Sequence, residues 1–249
     1  FSFHYIPRKN VVYSGNVIRH CQGGKIVIEI TDVLDELSKN RPVFHSEADF
    51  QHALAWIIHE KYPDLNIRLE KRVTLKGKEI YFDIFAFNHS EIVAIEVKYK
   101  TKNLDTLVTG EEFNLKNQGA QDQGRYDFIK DISRLEKALE KYRDKVVTGF
   151  AIFLTNDESY WKTPTRDVNT ADKDFRIHEG KTIDGELSWK VGTSKGTMSG
   201  RVEPIILGDK YILNWNDYSN LEEQNGKFRY LLITDLPALK PLLQIHFCS

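Results

Sequence analysis

Cysteine is nearly absent from the 249 residues: only Cys21 and Cys248 occur, far apart along the chain. That scarcity excludes a disulfide-stapled scaffold and a cysteine-based metal cluster. It fits a reducing compartment, while a single disulfide stays allowed. No apolar run approaches the ~18 residues of a membrane helix, so no spanning segment is expected. The opening Phe1-Ser2-Phe3-His4-Tyr5 lacks the basic region and long apolar stretch of a signal peptide. A cytoplasmic location is therefore the expectation. Charge of one sign is also missing, since the formal net charge is -1. A polyanionic partner would not be drawn in by overall charge and would need a local basic groove. Short candidates for one are Lys71-Arg72, Lys76 with Lys78, and Lys98-Tyr99-Lys100 with Lys102.

Several catalytic signatures are missing as well. His52 and His59 flank Trp56 on one predicted helix and His45 precedes it, but no HExxH pattern forms. No glycine-rich phosphate loop follows a strand, and neither Ser14-Gly15 nor Ser199-Gly200 builds a nucleophile elbow. There is no helix-turn-helix or zinc-finger signature of a DNA sequence reader, no internal repeat and no low-complexity tract.

What is present describes a folded chain: 41% apolar and 12% aromatic residues are enough to build a core. Residues 1–42 read as a small N-terminal module, with strands at Val11 to Tyr13 and Lys25 to Ile30 around a Gly23-Gly24 turn. A short helix at Val33 to Ser38 follows, and Asn40-Arg41-Pro42 punctuates the chain. Ser46-Glu47-Ala48-Asp49 then resembles a capping box with Asp in its fourth position. Phe50, Leu54, Ile57 and Ile58 predict a helix that stops at Pro63. Ile67 to Leu75, Ile80 to Phe87 and Ile92 to Tyr99 predict an antiparallel meander joined by short turns. Residues 100–117 show little period and read as a loop. Phe128, Ile132, Leu135, Leu139 and Tyr142 predict a helix from about Ala120 to Tyr142, and Val146 to Leu154 a strand covered by helices. Residues 43–155 thus form an α/β layered core. Residues 156–249 read as a polar insertion followed by strands at Val202 to Ile206, Tyr211 to Trp215 and Phe228 to Ile233, completing the same domain. Tyr160, Trp161 and Trp189 are either base-stacking platforms or anchors for that insertion.

The meander contains charges where a sheet core expects none. Asp83 lies in Tyr81-Phe82-Asp83-Ile84-Phe85-Ala86-Phe87, and Glu96 and Lys98 lie in Ile92-Val93-Ala94-Ile95-Glu96-Val97-Lys98-Tyr99. Burying ionisable groups beside a sheet core is costly unless they are paired or bind a metal. Strand alternation puts Glu96 and Lys98 on one face, and the short turn brings Asp83 near Glu96. Two converging carboxylates call for a cation; Mg²⁺ suits carboxylates and a carbonyl such as that of Val97. Lys98 would position a nucleophile and offset phosphate charge.

Asp83 and the triplet Glu96-Val97-Lys98, with twelve residues between the acids, resemble the signature of the PD-(D/E)xK nuclease superfamily. The helix, three strands, helix, strand order over roughly residues 46–155 is similar to that family's core. Phe82 stands where many members have proline. The resemblance implies a restriction-endonuclease-like layered α/β fold with a central mixed sheet flanked by helices, plus extra N- and C-terminal β-rich elements. It also implies Mg²⁺ as cofactor, with Mn²⁺ as a substitute, held by Asp83, Glu96, the Val97 carbonyl and Glu47 of the preceding helix, while Lys98 assists hydrolysis. The Gln and Tyr four residues apart found in some branches are not matched: Gln118, Gln121 and Tyr126 occur, but position 122 is Asp122. Gln51, Gln121, Arg125 and Lys100 are further candidates for substrate contact. The expected function is a metal-dependent nuclease acting on nucleic acid, with DNA favoured and a homodimer as one allowed assembly. The alternative is a catalytically silent nucleic-acid-binding or assembly protein on the same fold.

Overall fold

The computed structural model describes residues 28–234 apart from Lys76, Arg143, Asp144 and 166–168, and adds two short strands, β1 (Cys21–Gln22) and β2 (Lys25–Ile26). The expected strand at Val11 to Tyr13 and the Gly23-Gly24 turn lie outside the described residues. The helices are α1 (Ile30–Asn40), α2 (Glu47–Lys61) and α3 (Gln121–Lys141). The strands that follow β2 are β3 (Asn66–Leu75), β4 (Lys78–Phe87), β5 (Glu91–Lys100), β6 (Leu104–Val108), β7 (Glu111–Leu115) and β8 (Val146–Thr155). They continue with β9 (Thr182–Ile183), β10 (Glu186–Leu187), β11 (Ile205–Ile206), β12 (Tyr211–Ile212), β13 (Trp215–Asn220) and β14 (Lys227–Ile233). No helix among the described residues is long and apolar enough to cross a membrane.

A six-stranded mixed sheet of order β13-β14-β8-β5-β4-β3 forms the centre. The meander β3-β4-β5 is antiparallel, and β5 and β8 run parallel from Glu91↔Val146 to Lys100↔Thr155. A parallel pair needs a crossover, and α3 provides it. Strand alternation divides the core. Val93, Ile95, Val97 and Tyr99 pack with α1 and α2, through residues such as Leu34, Phe50 and Ile58. Ile92, Ala94, Phe85 and Phe153 pack with Phe128, Ile132 and Leu135 of α3. The sheet is thus an α/β layer with helices on both faces.

Helix α2 starts where its sequence says it should: the Ser46 hydroxyl accepts from the Asp49 N–H at 3.2 Å. Asp49 does not complete a capping box. Its carboxylate accepts instead from the His45 N–H at 2.9 Å and pairs with Arg41 at 2.8 Å.

Four other expectations need correction. The helix expected at Val33 to Ser38 extends over Ile30–Asn40, because Ile30 joins Val33, Leu34 and Leu37 on its buried stripe; β2 correspondingly ends at Ile26. Residues 100–117 are not a loop, since β6 and β7 form a hairpin. Its turn is Thr109-Gly110, with φ of 51° and 88°, the left-handed backbone that tight hairpins require. Leu104, Phe113 and Leu115 bury one side of it. The strand expected from Val202 is only β11, with Val202 itself exposed, and Tyr211 to Trp215 divides between β12 and β13.

The polar stretch after Asn156 folds onto the α3 side of the sheet. Tyr160, Trp161, Phe175 and Trp215 are buried there. The Trp215 indole donates to the Ile177 carbonyl and the Trp189 indole to the Arg201 carbonyl, both at 2.7 Å. Tyr160, Trp161 and Trp189 therefore anchor the insertion and offer no stacking platform. Of the expected α3 stripe, Phe128, Ile132 and Leu135 are fully buried and Tyr142 partly so; the Leu139 side chain lies outside the described residues.

Candidate functional site

The site forms where the central hairpin opens. The β4–β5 ladder runs from Phe87↔Ile92 to Ile84↔Ile95 and stops there, one step before Asp83 would face Glu96. On its other edge β4 pairs with β3 in constant register except where Glu70 faces Asp83. Glu70 takes a φ of 49°, unusual for a residue with a side chain. The strand turns at this point: Ile84 and Ala86 pack on the α2 side, while Phe82 packs on the α3 side. Asp83 is the pivot.

Hydrogen bonds hold the opening. Asp83 Oδ2 accepts the Val97 N–H at 2.7 Å, so the carboxylate spans the gap the ladder leaves. The buried Gln51 side chain donates to the Asp83 carbonyl at 2.6 Å and to Glu70 Oε1 at 2.9 Å, tying α2 to the pivot. Glu47 Oε2 accepts the Tyr99 N–H at 2.9 Å. Glu47 thus reaches β5 from α2, and its first duty there is to hold the strand.

Glu96 and Lys98 point to the α3 side, as alternation requires. Glu96 is 2% exposed, and its Oε1 lies 2.7 Å from the Arg134 guanidinium. Lys98 Nζ lies 2.8 Å from Asp131 Oδ2 and donates to the Val97 carbonyl at 3.2 Å. Arg134 also pairs with Asp131 at 2.7 Å and donates to the Tyr81 carbonyl at 2.7 Å. The result is a chain of contacts Glu96–Arg134–Asp131–Lys98, with Asp83 and Glu47 close enough to feel its charges.

Four carboxylates here face two cations, and the titration behaviour reflects that imbalance. Burial raises the Asp83 pKa; the Val97 N–H and Lys98 pull it down, and Asp131 and Glu47 push it up. Burial, then repulsion from Asp131, holds Glu96 well above the usual carboxylate range, with Arg134 opposing. Burial alone would lower the Lys98 pKa, but Asp131, Glu47 and Asp83 outweigh it and raise the value. Lys98 therefore stays an ammonium at any physiological pH, a donor and not a base.

A pH dependence follows. A carboxyl whose folded pKa is raised favours the folded state fully below its unfolded pKa, and that contribution is lost as pH rises through the folded value. In cation-free protein, Glu96→Gln is expected to melt at a higher temperature than wild type near neutral pH. The difference should shrink in acid, where wild-type Glu96 is protonated. Melting curves across a pH series measure it; a variant uniformly less stable than wild type would contradict the raised Glu96 value.

The remaining candidates separate. Lys100 continues the Glu96–Lys98 face at the end of β5, opposite Thr155. Gln121 and Arg125 do not face the acids, because both are committed to the insertion. Gln121 donates to Asp157 at 3.0 Å, and Arg125 pairs with Asp172 at 2.7 Å and donates to the Ser159 carbonyl at 2.7 Å. Lys98-Tyr99-Lys100 with Lys102 is no exposed basic cluster: Lys98 is paired, Tyr99 is buried, and Lys102 lies 3.4 Å from Asp157. Of the other short candidates, Arg72 pairs with Glu79 at 3.0 Å and Lys76 lies outside the described residues.

Sequence reasoning missed Asp131 and Arg134, the two α3 residues that complete the constellation. A signal existed: Asp131 falls three residues after Phe128 and four before Leu135, inside the apolar stripe, where an acid demands a partner. Comparison with family models, with curated proteins and with solved structures finds no match for the chain.

Proposed function

We propose that the chain is a metal-dependent nuclease that hydrolyses phosphodiester bonds in nucleic acid, with DNA the first substrate to test. One observation carries the reading: acids from two diverging strands and a buried lysine meet where the hairpin opens, with more carboxylates than cations. The helix, meander, helix and parallel strand around it fit a restriction-endonuclease-like core, in which this opening holds the active site.

The donor chemistry fits Mg²⁺. The Asp83 and Glu96 carboxylates and the Val97 carbonyl are hard oxygen donors, and the acid excess favours a bound cation. No set of three acid, histidine or cysteine side chains among the described residues is grouped to hold a metal. Two carboxylates and a carbonyl are therefore the assigned donors, with Glu47 acting through its hold on β5. When bound, Mg²⁺ polarises a phosphate and acidifies a water. Lys98, fixed as an ammonium, orients the attacking water by hydrogen bonding and offsets charge building on the phosphate. Arg134, now spent on Glu96, is placed to shift its charge to an incoming phosphate and free Glu96 as a donor.

A second reading has its own support. With Glu96 on Arg134 and Lys98 on Asp131, each charged member of the signature on β5 is already satisfied. A silent nucleic-acid-binding protein on the same fold would look the same. Incubating labelled DNA with the protein, with and without Mg²⁺, separates the two. The nuclease reading expects Mg²⁺-dependent cleavage that is lost in Lys98→Ala and in Glu96→Ala; cleavage that survives both substitutions would sink the mechanism.

A further inference from the structure

We infer that a groove beside the acidic cluster binds a single-stranded nucleic acid, its phosphates along α3 and its bases against the adjoining apolar wall. This rests on the nucleic-acid reading above and specifies the form of the substrate. The groove has a volume of about 1050 Å³ and lies between the β3–β4 hairpin, α3 and residues 200–205. Its α3 wall carries Lys130, Arg134, Lys137 and Lys141, and the hairpin adds Lys78. Steps of four, three and four residues keep the α3 cations on one helix face, at axial intervals of about 6, 4.5 and 6 Å.

These charges are available. Among the described residues, no ion pair uses Lys78, Lys130, Lys137 or Lys141. Lys137 donates to the Ser133 hydroxyl at 2.9 Å and Lys141 to the Thr74 carbonyl at 2.6 Å, which orients both without neutralising them. The two carboxylates of the lining are Glu79, already paired with Arg72, and Glu203 of the adjoining segment.

The two walls differ in a way that selects the ligand. Beside the cations, in the segment that the Tyr126 hydroxyl holds by donating to the Glu203 carbonyl at 2.8 Å, Val202 and Pro204 are exposed, and Ile80 adds apolar surface at the hairpin. A single strand offers phosphates on one side and uncovered base faces on the other, matching a cationic wall and an apolar wall. A duplex hides its base faces and would press charged backbone against Val202, Pro204 and Glu203. Arg134 belongs to both the groove and the acidic cluster, so a strand lying along α3 brings one phosphate to the cluster's edge.

The test uses the full chain in EDTA, so that no cleavage intervenes, and a short fluorescent oligodeoxynucleotide, either single-stranded or annealed to its complement. Anisotropy should report tighter binding of the single strand than of the duplex. Lys130→Glu/Lys137→Glu should weaken single-strand binding at least about tenfold and flatten the salt dependence of log affinity by about 1.4, or ~0.7 for each lost phosphate contact. Both side chains are exposed, so the melting temperature should hold; Lys130→Gln/Lys137→Gln provides the milder variant and the same direction. Equal or tighter duplex binding, unchanged affinity in both lysine variants, or a preference for anionic phospholipid vesicles over the oligonucleotide would overturn the inference. Single-strand binding without cleavage in Mg²⁺ would remove the nuclease and keep the groove. Cleavage with unaltered binding in the lysine variants would do the reverse.

Discussion

Asp83→Asn is expected to lower phosphodiester cleavage on the order of a thousandfold while leaving the fold intact. The amide oxygen can still accept the Val97 N–H, so the bridge across the opened hairpin survives and only the charge is lost. Cation-free protein should gain slightly in stability, because a buried carboxylate crowded by Asp131 and Glu47 has been removed. The response to Mg²⁺ should change more visibly. A cation at a hundredfold excess over its dissociation constant stabilises a folded protein by about 2.7 kcal/mol. At about 2–4 °C per kcal/mol for a domain of this size, wild type should melt several degrees higher with Mg²⁺, and Asp83→Asn should not. A variant that keeps the Mg²⁺ shift would show that Asp83 is no ligand.

Asp131→Ala should cost about 3 kcal/mol of stability. Asp131 is 2% exposed and, among the described residues, the only carboxylate joined to both Lys98 and Arg134. Its removal leaves two partly buried cations short of a partner, and cutting one member from a buried pair costs more than the pair itself contributes. Arg134 keeps Glu96 and the Tyr81 carbonyl, which places the loss at the lower end of what such truncations cost. Denaturant titration measures the change. Asp131→Asn, retaining shape without charge, should cost less and bring the Glu96 pKa down, since Asp131 is the main charge pushing it up. A loss below about 1 kcal/mol in the alanine variant would mean the four-residue ion chain contributes little.

The frame of the fold could be read from the chain because its helices and strands carry clean periods. The α2 stripe starting at Phe50, the meander and the strongly apolar β8 each signal one structure type, and the helix between β5 and β8 allows the parallel pairing that the structure shows. The β6–β7 hairpin escaped because its strands are short and its Thr-Gly turn is a weaker mark than Asn-Gly. The 156–215 segment escaped because its apolar anchors are separated by long polar stretches and paired by strands of two residues. At the site, Asp83, Glu96 and Lys98 stood out as charges inside apolar strands. Their partners did not. Asp131 and Arg134 sit on a helix rich in charge, where a single acid in the stripe is easily passed over, and Gln121 and Arg125 were drawn toward the site by helix phase alone. Helix phase fixes a direction around one axis; it does not say which part of a distant insertion will pack against it.

The most direct measurement is a calorimetric titration of Mg²⁺ or Mn²⁺ into wild-type protein and into Asp83→Ala. The wild type is expected to bind the cation and the variant to lose that affinity, because Asp83, crowded by Asp131 and Glu47, is one of the two carboxylates assigned to the cation. Wild-type protein that takes up no cation, or a variant that binds as tightly, would contradict a metal site at the opened hairpin and leave the buried acids as structural ion pairs.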